Sequence, residues 1–414
     1  MYLSPLAQSL RAEIDALPVI DAHQHLPSEA DYLAFQYSGA NLFAGGYIWH
    51  DLESAGLSPE FKETLRQPGP RPVAEWWPVI RPYWEQVKHT SYSRALRVTV
   101  RDLYGLADVD DTTIDELAAR VSADNTPGLY HRVLQEVCRA RYTITSVDQA
   151  SFPNDPGLRG LVNFVRFDAW DPVRSVEKQL GRTVTDLEDL AAAVQEQLRT
   201  RVAAGAVGFK MTVASHPAPD PVAAEAELRS AQRGEGGPYP ALCDYLFDRS
   251  LDVAAEADVP VAVHTGYWND FRDLAPTLMF SFAARRRDVR FDMFHLGMPM
   301  MREAATMGKT LPNVTLNLTW CPIISQVMTA RTLDEILDLV PITKIIAFGG
   351  DYRVAVQKTY GHLALAKECV ASALAKRVES GDFDRGRALH IARLWFHDNP
   401  TRIYRLDAPK GQNA

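Results

Sequence analysis

The stretch V-I-D-A-H-Q-H-L (19–26) is an apolar run that ends in two histidines separated by one residue. Residues i and i+2 of a β-strand point to the same side, so a strand here directs His23 and His25 toward one common place. Imidazoles that converge in this way can hold a metal ion. Two histidines in a solvated loop would have no such role, and the rest of the chain decides between these interpretations.

Seven more apolar runs follow residue 139, and amphipathic helical segments separate them. The runs are RYTITSV (141–147), GLVNFVRF (160–167), AVGFKMTV (206–213), VPVAVHTG (259–266), VRFDMFHLG (289–297), VTLNLTW (314–320) and KIIAFGGD (344–351). Alternating strands and helices are typical of a parallel sheet, and eight repeats predict an α/β fold, the (β/α)8 or TIM barrel. We predict that residues 1–414 form this single domain.

One segment, residues 28–138, does not fit the repeat. It contains four tryptophans and helix-like pieces such as S-Y-S-R-A-L-R-V-T-V-R-D-L-Y. An unstructured loop of this length would be unusual in a compact domain. Because a loop that follows strand 1 emerges on the C-terminal face of a barrel, we predict a mainly helical insertion that forms a wall or lid over the mouth.

The composition is that of an ordinary globular protein, with 46% hydrophobic and 23% charged residues. A formal net charge of −8 argues against nucleic acid or an anionic membrane as a partner, and no run of 18 apolar residues predicts a membrane span. The predicted partner is a small-molecule substrate, and assembly into a homo-oligomer stays open. The N-terminus lacks a signal-peptide pattern and the four cysteines are scattered, so we predict a cytoplasmic protein with free thiols.

Polar residues end the apolar runs of strands 1, 4, 5, 6 and 8. They are His23 and His25, Lys210, His264, His295 and Asp351. The C-terminal ends of barrel strands converge on one mouth, so these side chains are predicted to meet. Imidazoles and a carboxylate suit a divalent cation, with zinc as the first choice and manganese or iron as alternatives. Each residue alone fits a structural role, but their joint occurrence at strand ends favours a metal centre.

Further residues near strand ends are candidates for substrate binding. Arg166 ends strand 3 and Arg353 follows Asp351, and a guanidinium pairs well with an anionic group. Tyr267 and Trp320 follow strands 5 and 7 and are candidates for the pocket wall. The alternatives are salt-bridged barrel residues for the arginines and packing between loops for the aromatic residues.

These motifs resemble the amidohydrolase superfamily. The resemblance rests on H-x-H in strand 1, the lysine, the two later histidines and the aspartate, and on the contexts H-T-G, H-L-G-x-P and G-G-D. With the terminal H-D-N-P-T-R-I-Y-R-L, the chain is similar more narrowly to the amidohydrolase-2 branch of metal-dependent hydrolases. The long insertion after strand 1 resembles that of uronate isomerases. The resemblance covers nearly the whole chain and is specific for fold and metal, not for substrate.

The resemblance implies a role for each ligand. His23, His25 and Asp351 would hold the more buried metal, and His264 and His295 a second one, bridged by a carbamylated Lys210. Asp351 would also take a proton from the attacking water. Asp351 and His295 are the predicted catalytic residues, His295 for proton transfer beside a single metal. Alternatively, Lys210 is an ammonium that pairs with substrate. One metal then suffices, as in the decarboxylases and uronate isomerases of the superfamily, and His295 is free for proton transfer.

The predicted function is a metal-dependent hydrolase that cleaves a C–N or C–O bond of a small anionic molecule, namely an amide, cyclic amide or lactone. A single-metal non-oxidative decarboxylase or a uronate-isomerase-like aldose–ketose isomerase is the alternative. A non-catalytic binding barrel that keeps its metal is a third interpretation. An open ligand set with a carboxylate placed as a base argues against it, because structural zinc sites are closed and tetrahedral.

Overall fold

The computed structural model describes residues 2–67, 69–147, 155, 157–164 and 172–407. Eight parallel strands pair in chain order, each with the next. They are β1 Val19–Gln24, β2 Ala140–Val147, β3 Leu158–Asn163, β4 Gly208–Thr212, β5 Val261–His264, β6 Phe291–Phe294, β7 Val314–Asn317 and β8 Ile345–Ile346. Each strand overlaps the run predicted for it. Apolar residues dominate them because helices cover a parallel barrel from outside while side chains fill its interior.

The chain after β8 returns to β1 and nearly closes the barrel. The backbone N–H of Ala22 donates to the carbonyl of Phe348 (3.1 Å), and that of Asp351 donates to the carbonyl of His23 (2.8 Å). A Cβ on Gly349 would collide with the Thr319 side chain, so the glycine permits this close approach. These features confirm the predicted (β/α)8 barrel and bring the end of the β8 segment beside the end of β1.

Helices that precede β1, separate later strands or follow β8 pack around the barrel. They are α1 Pro5–Asp15, α9 Pro172–Leu180, α10 Leu187–Ala203, α11 Pro221–Gln232, α12 Pro240–Glu256, α13 Phe280–Arg285, α14 Met301–Thr310, α15 Cys321–Ile324, α16 Gln326–Leu339, α17 Lys358–Glu379, α18 Arg385–Arg393 and α19 Asn399–Ile403. Local chemistry sets several of their ends. Asp186, for example, begins α10 by accepting a hydrogen bond from the N–H of Asp189 (2.9 Å). Among the described residues, no helix combines the length and apolar character needed to cross a membrane.

The segment between β1 and β2 is mainly helical, as predicted. Its helices are α2 Glu29–Ala34, α3 Asn41–Ala44, α4 Ile48–Ser54, α5 Pro59–Leu65, α6 Val73–Val87, α7 Ser91–Tyr104 and α8 Ile114–Asp124, followed by a π-helical turn His131–Val137. These helices build a hydrophobic cluster of their own, in which the buried rings of Trp76 and Trp84 contact Phe43. The cluster also includes Trp320 and Tyr352 from the barrel loops, so the insertion is anchored on the C-terminal face.

Candidate metal centre

Three side chains form a compact triangle at the C-terminal end of the barrel. The Nε2 atoms of His23 and His25 lie 3.2 Å apart. Oδ1 of Asp351 lies 3.2 Å from the first and 3.3 Å from the second. His23 and Asp351 are buried, whereas the side chain of His25 keeps 33% of its exposure. The strand alternation that predicted a shared direction for the two histidines is therefore realised.

The triangle fits a divalent cation. Ligand atoms placed about 2.0–2.1 Å from a tetrahedral zinc ion lie about 3.3 Å from one another. The three edges of the triangle have this length. Within the described part of the chain, this is the one group of three or more His, Cys, Asp or Glu side chains with ligand-like spacing.

The two carboxylate oxygens of Asp351 face different imidazoles. Oδ1 belongs to the triangle, and Oδ2 lies 3.8 Å from Nε2 of His295. Burial alone would raise the pKa of this carboxyl group, but the surrounding imidazoles, above all that of His23, hold it well below its usual value. The residue has a left-handed backbone (φ 60°), and its carbonyl accepts a hydrogen bond from the hydroxyl of Tyr47. Backbone strain of this kind is common where a side chain must be aimed for function.

His264 and His295 form a second imidazole pair next to the triangle. Nδ1 of His295 lies 3.0 Å from the carbonyl of Thr319, which can only accept, so this nitrogen carries the proton. Burial lowers the pKa of His295 to about 4, so the ring is neutral and its Nε2 is an acceptor. That Nε2 lies 2.9 Å from Nδ1 of His264, which must then be the donor. Nε2 of His264 is consequently left as a buried lone pair, without a hydrogen-bond partner among the described residues.

Lys210 reaches the triangle from β4. Its Nζ lies 2.9 Å from Nε2 of His23 and 4.6 Å from the ring centroid of Phe294. Burial lowers the pKa of Lys210 to about 8, while the charges of Asp351 and Asp292 act in the opposite direction. The amine therefore lies within hydrogen-bonding distance of a candidate metal ligand.

A cavity of about 1020 Å³ opens beside the triangle. His25, Lys210, His264 and Asp351 line it from the barrel, and Arg353 and Trp320 lie in the same lining. The ring of Trp320 is 5.3 Å from that of His295. Tyr267 contacts the Trp320 ring (5.4 Å) but does not line the cavity, and the neighbouring Trp268 does. Arg166 lies outside the described residues.

The cavity also contains residues that sequence reasoning did not single out. Tyr47 and Lys62 come from the insertion, whose helices carry no motif that identifies cavity residues. His216 follows β4, and its Nδ1 lies 2.9 Å from Asp244 on α12, a contact that depends on the fold.

Asp292 is a buried carboxyl group that the sequence could have identified, because it is a charged residue inside the apolar strand β6. Asp292 accepts hydrogen bonds there from Asn317 (2.9 Å) and Tyr404 (2.6 Å), and burial raises its pKa to about 7.

A (β/α)8 barrel with a His–His–Asp group at the C-terminal ends of its strands defines a class of metal-dependent enzymes. A family model described as Amidohydrolase matches residues 175–406, more than half of the chain. The chain therefore belongs to the amidohydrolase family, as its motifs predicted. The family is metal-dependent, and membership in it supports the prediction that this protein is an enzyme.

Individual relatives are more distant. Protein fluG of Emericella nidulans is 29% identical over 184 residues, which cover 40% of this chain and 20% of fluG. The chain thus spans about a fifth of the length of that curated relative.

Solved structures match over almost the whole chain. Uronate isomerase from Thermotoga maritima has a TM-score of 0.80 at 15% identity, covering 97% of this chain and 98% of its own. Glucuronate isomerase from Caulobacter crescentus has a TM-score of 0.79 at 16% identity, with 99% and 96% covered. A protein from Lactobacillus casei proposed to be a metal-dependent hydrolase has a TM-score of 0.65 at 16% identity, with 96% and 98% covered. At these identities, the likeness is one of fold.

Proposed function

We propose that the protein is a hydrolase that uses one divalent cation, with zinc as the first choice, to cleave a C–N or C–O bond of a small anionic molecule. The observation that carries this proposal is the placement of the two carboxylate oxygens of Asp351. One of its oxygens completes the ligand triangle with His23 and His25, and the other faces the His264–His295 pair. A group that ligates a cation and also reaches outside the ligand set is suited to transfer protons during hydrolysis.

Each residue of the centre has a defined role in this proposal. His23, His25 and Oδ1 of Asp351 would hold the cation, which when bound lowers the pKa of a water molecule and polarises the carbonyl group under attack. Oδ2 of Asp351 accepts the proton of the attacking water and returns it to the leaving group. His264 and His295 form a neutral hydrogen-bonded pair beside Oδ2 of Asp351.

Lys210 is assigned here as a free amine, not as a carbamate that bridges two metals. The contact between its Nζ and His23 supports this assignment. With its pKa near 8, the amine is mostly protonated at neutral pH. An ammonium in this position attracts an anionic group of the substrate toward the metal side of the cavity.

The cavity supports an anionic substrate. Lys62, Arg66, Lys210 and Arg353 line it, against the one carboxylate of Asp351 in the described lining, although the whole chain has a net charge of −8. Fields of one sign inside a cleft concentrate ligands of the opposite charge. The insertion contributes Tyr47 and part of this wall. We infer that it excludes water from the reacting groups and limits the size of the substrate.

An aldose–ketose isomerase is the second candidate. Its support is the likeness of fold to two uronate isomerases, which extends over nearly all of this chain and includes the insertion. The single ligand triangle also suits this reaction. Isomerisation needs a group that moves a proton between neighbouring carbons, and Oδ2 of Asp351 is the candidate acceptor.

Product mass separates these candidates. Zinc-loaded protein is incubated with carboxylated amides, cyclic amides and lactones, and in parallel with uronic acids, and the products are analysed by mass spectrometry. Hydrolysis adds the mass of one water to a cyclic amide or lactone and splits an open-chain amide into an acid and an amine, whereas isomerisation leaves the mass unchanged. We expect Asp351→Asn to lower hydrolysis about 100- to 10,000-fold, and the exposed control Asp115→Asn to leave it unchanged. Turnover of uronic acids alone would replace the hydrolase proposal by the isomerase.

A further inference from the structure

Lys62 is a cation without a partner on the wall of the cavity. It lies on α5 of the insertion, is half-buried, and its side chain forms no hydrogen bond or ion pair with the residues that the structure describes. Its Nζ lies 5.6 Å from the centroid of the Trp49 ring. The next cation along the chain, Arg66, is instead paired with Glu63 at 3.1 Å. The ammonium of Lys62 is therefore available to a ligand.

Arg353 is a second cation of this kind. It follows Asp351 by two residues, lines the same cavity, and has no hydrogen bond or ion pair within the described residues. Elsewhere, arginines of this chain are commonly paired, as Arg97 is with Asp108 (2.6 Å) and Arg302 with Glu335 (2.6 Å). Lys62 lies on the insertion side of the cavity, whereas Arg353, like Lys210, belongs to the barrel side, and cations on two sides of one cavity indicate two positions for anionic groups.

The surroundings of Lys62 favour a charged group held against an aromatic wall. His50 lines the same part of the cavity, and burial, with the charge of Lys62, lowers its pKa, so that it offers a neutral hydrogen-bonding ring. Trp49, Trp268 and Trp320 provide apolar surface in the same lining. A ligand with an apolar middle and charged ends matches this distribution.

We propose that the substrate carries two anionic groups: Arg353 and Lys210 bind one of them on the barrel side of the cavity, and Lys62 binds the other, the remote group, on the insertion side. The inference rests on the proposed function and narrows its substrate class to small dianions. The remote group is a carboxylate or a phosphate, since a lysine ammonium is a compact charge that serves either. Through Lys62, the insertion selects the substrate by the charge at its far end.

Binding of simple probes tests this without knowledge of the substrate. Succinate, glutarate and adipate are compared with the monoacids butyrate and pentanoate, and with 3-phosphonopropionate, by calorimetry on the zinc-loaded full chain. We expect at least one dianion to bind about 10- to 100-fold more tightly than the monoacids, as charge-assisted hydrogen bonds predict. Tighter binding of the phosphonate than of every diacid identifies phosphate as the remote group, and the reverse identifies carboxylate.

Two variants assign the preference to Lys62. Lys62→Met should reduce binding of the best dianion to that of the monoacids and leave monoacid binding unchanged. The control Lys88→Met alters a half-exposed lysine that is paired with Glu85 and lies outside the cavity lining, and it should behave as the wild type. Equal binding of dianions and monoacids, or an unchanged preference in Lys62→Met, would overturn the inference. Zinc content is measured on the same samples, so that loss of the metal centre, which would refute the proposed function, is recognised separately.

Discussion

A buried lysine connects the insertion to the barrel and makes a sharp prediction about stability. Lys358 begins α17 and is 2% exposed. Its Nζ donates hydrogen bonds to the carbonyls of Leu42 (3.0 Å) and Gly45, which lie at the end of α3. Burial lowers its pKa from 10.5 to about 7. Replacing Lys358 by methionine keeps an unbranched side chain and removes the titrating group.

The sign and size of the effect follow from proton binding. The unfolded chain keeps the Lys358 proton until about pH 10.5, whereas the folded chain releases it near pH 7. Because the unfolded state binds more protons between these values, raising the pH stabilises the folded state. Between pH 7 and pH 9, the gain from one such group is about 2 kcal/mol. The variant Lys358→Met lacks this gain.

Urea unfolding at pH 7, 8 and 9, followed by tryptophan fluorescence, measures the effect. The free energy of unfolding of the wild type minus that of Lys358→Met should rise by about 2 kcal/mol from pH 7 to pH 9. For the half-exposed control Lys88→Met, the free energy of unfolding plotted against pH should run parallel to that of the wild type. A parallel curve for Lys358→Met as well would refute the assignment of a shifted pKa to this buried amine.

Two further substitutions test the centre and its support. Lys210→Met should retain the full metal content of the wild type, since a free amine is not a ligand; loss of a metal that bicarbonate restores would instead reveal a carbamate. Gly349→Ala should lower stability by about 1–3 kcal/mol in urea unfolding, because its Cβ would collide with Thr319 and lie 2.9 Å from the backbone nitrogen of His23. Gly236→Ala, where a Cβ meets nothing within 4 Å, is the matched control, and an equal effect of both changes would contradict this reasoning.

The barrel and the His–His–Asp group could be predicted because their signals are local. Apolar runs alternate with helical segments in the sequence, and parallel strands place the residues that end them at one mouth. His23 and His25 needed only the two-residue period of a strand. The meeting of Asp351 with both of them then followed from the closure of the barrel.

The rest of the site depends on contacts between distant parts of the chain. Lys62 and Tyr47 lie in helices whose packing onto the barrel is set by a separate cluster of tryptophans, and no periodic pattern gives that orientation. The sequence also left open whether Lys210 is a carbamate or an amine. Its distance to His23, which favours the amine, is a property of the folded barrel.

The number of metal ions per chain shows whether His23, His25 and Asp351 bind a single cation. Protein produced with zinc and freed of loosely bound metal is analysed for its elements, together with His25→Ala, which removes one corner of the triangle. We expect about one equivalent of zinc in the wild type and a large loss in the variant. Less than about a tenth of an equivalent in folded wild-type protein, or two equivalents held through Lys210, would contradict a single cation bound by His23, His25 and Asp351.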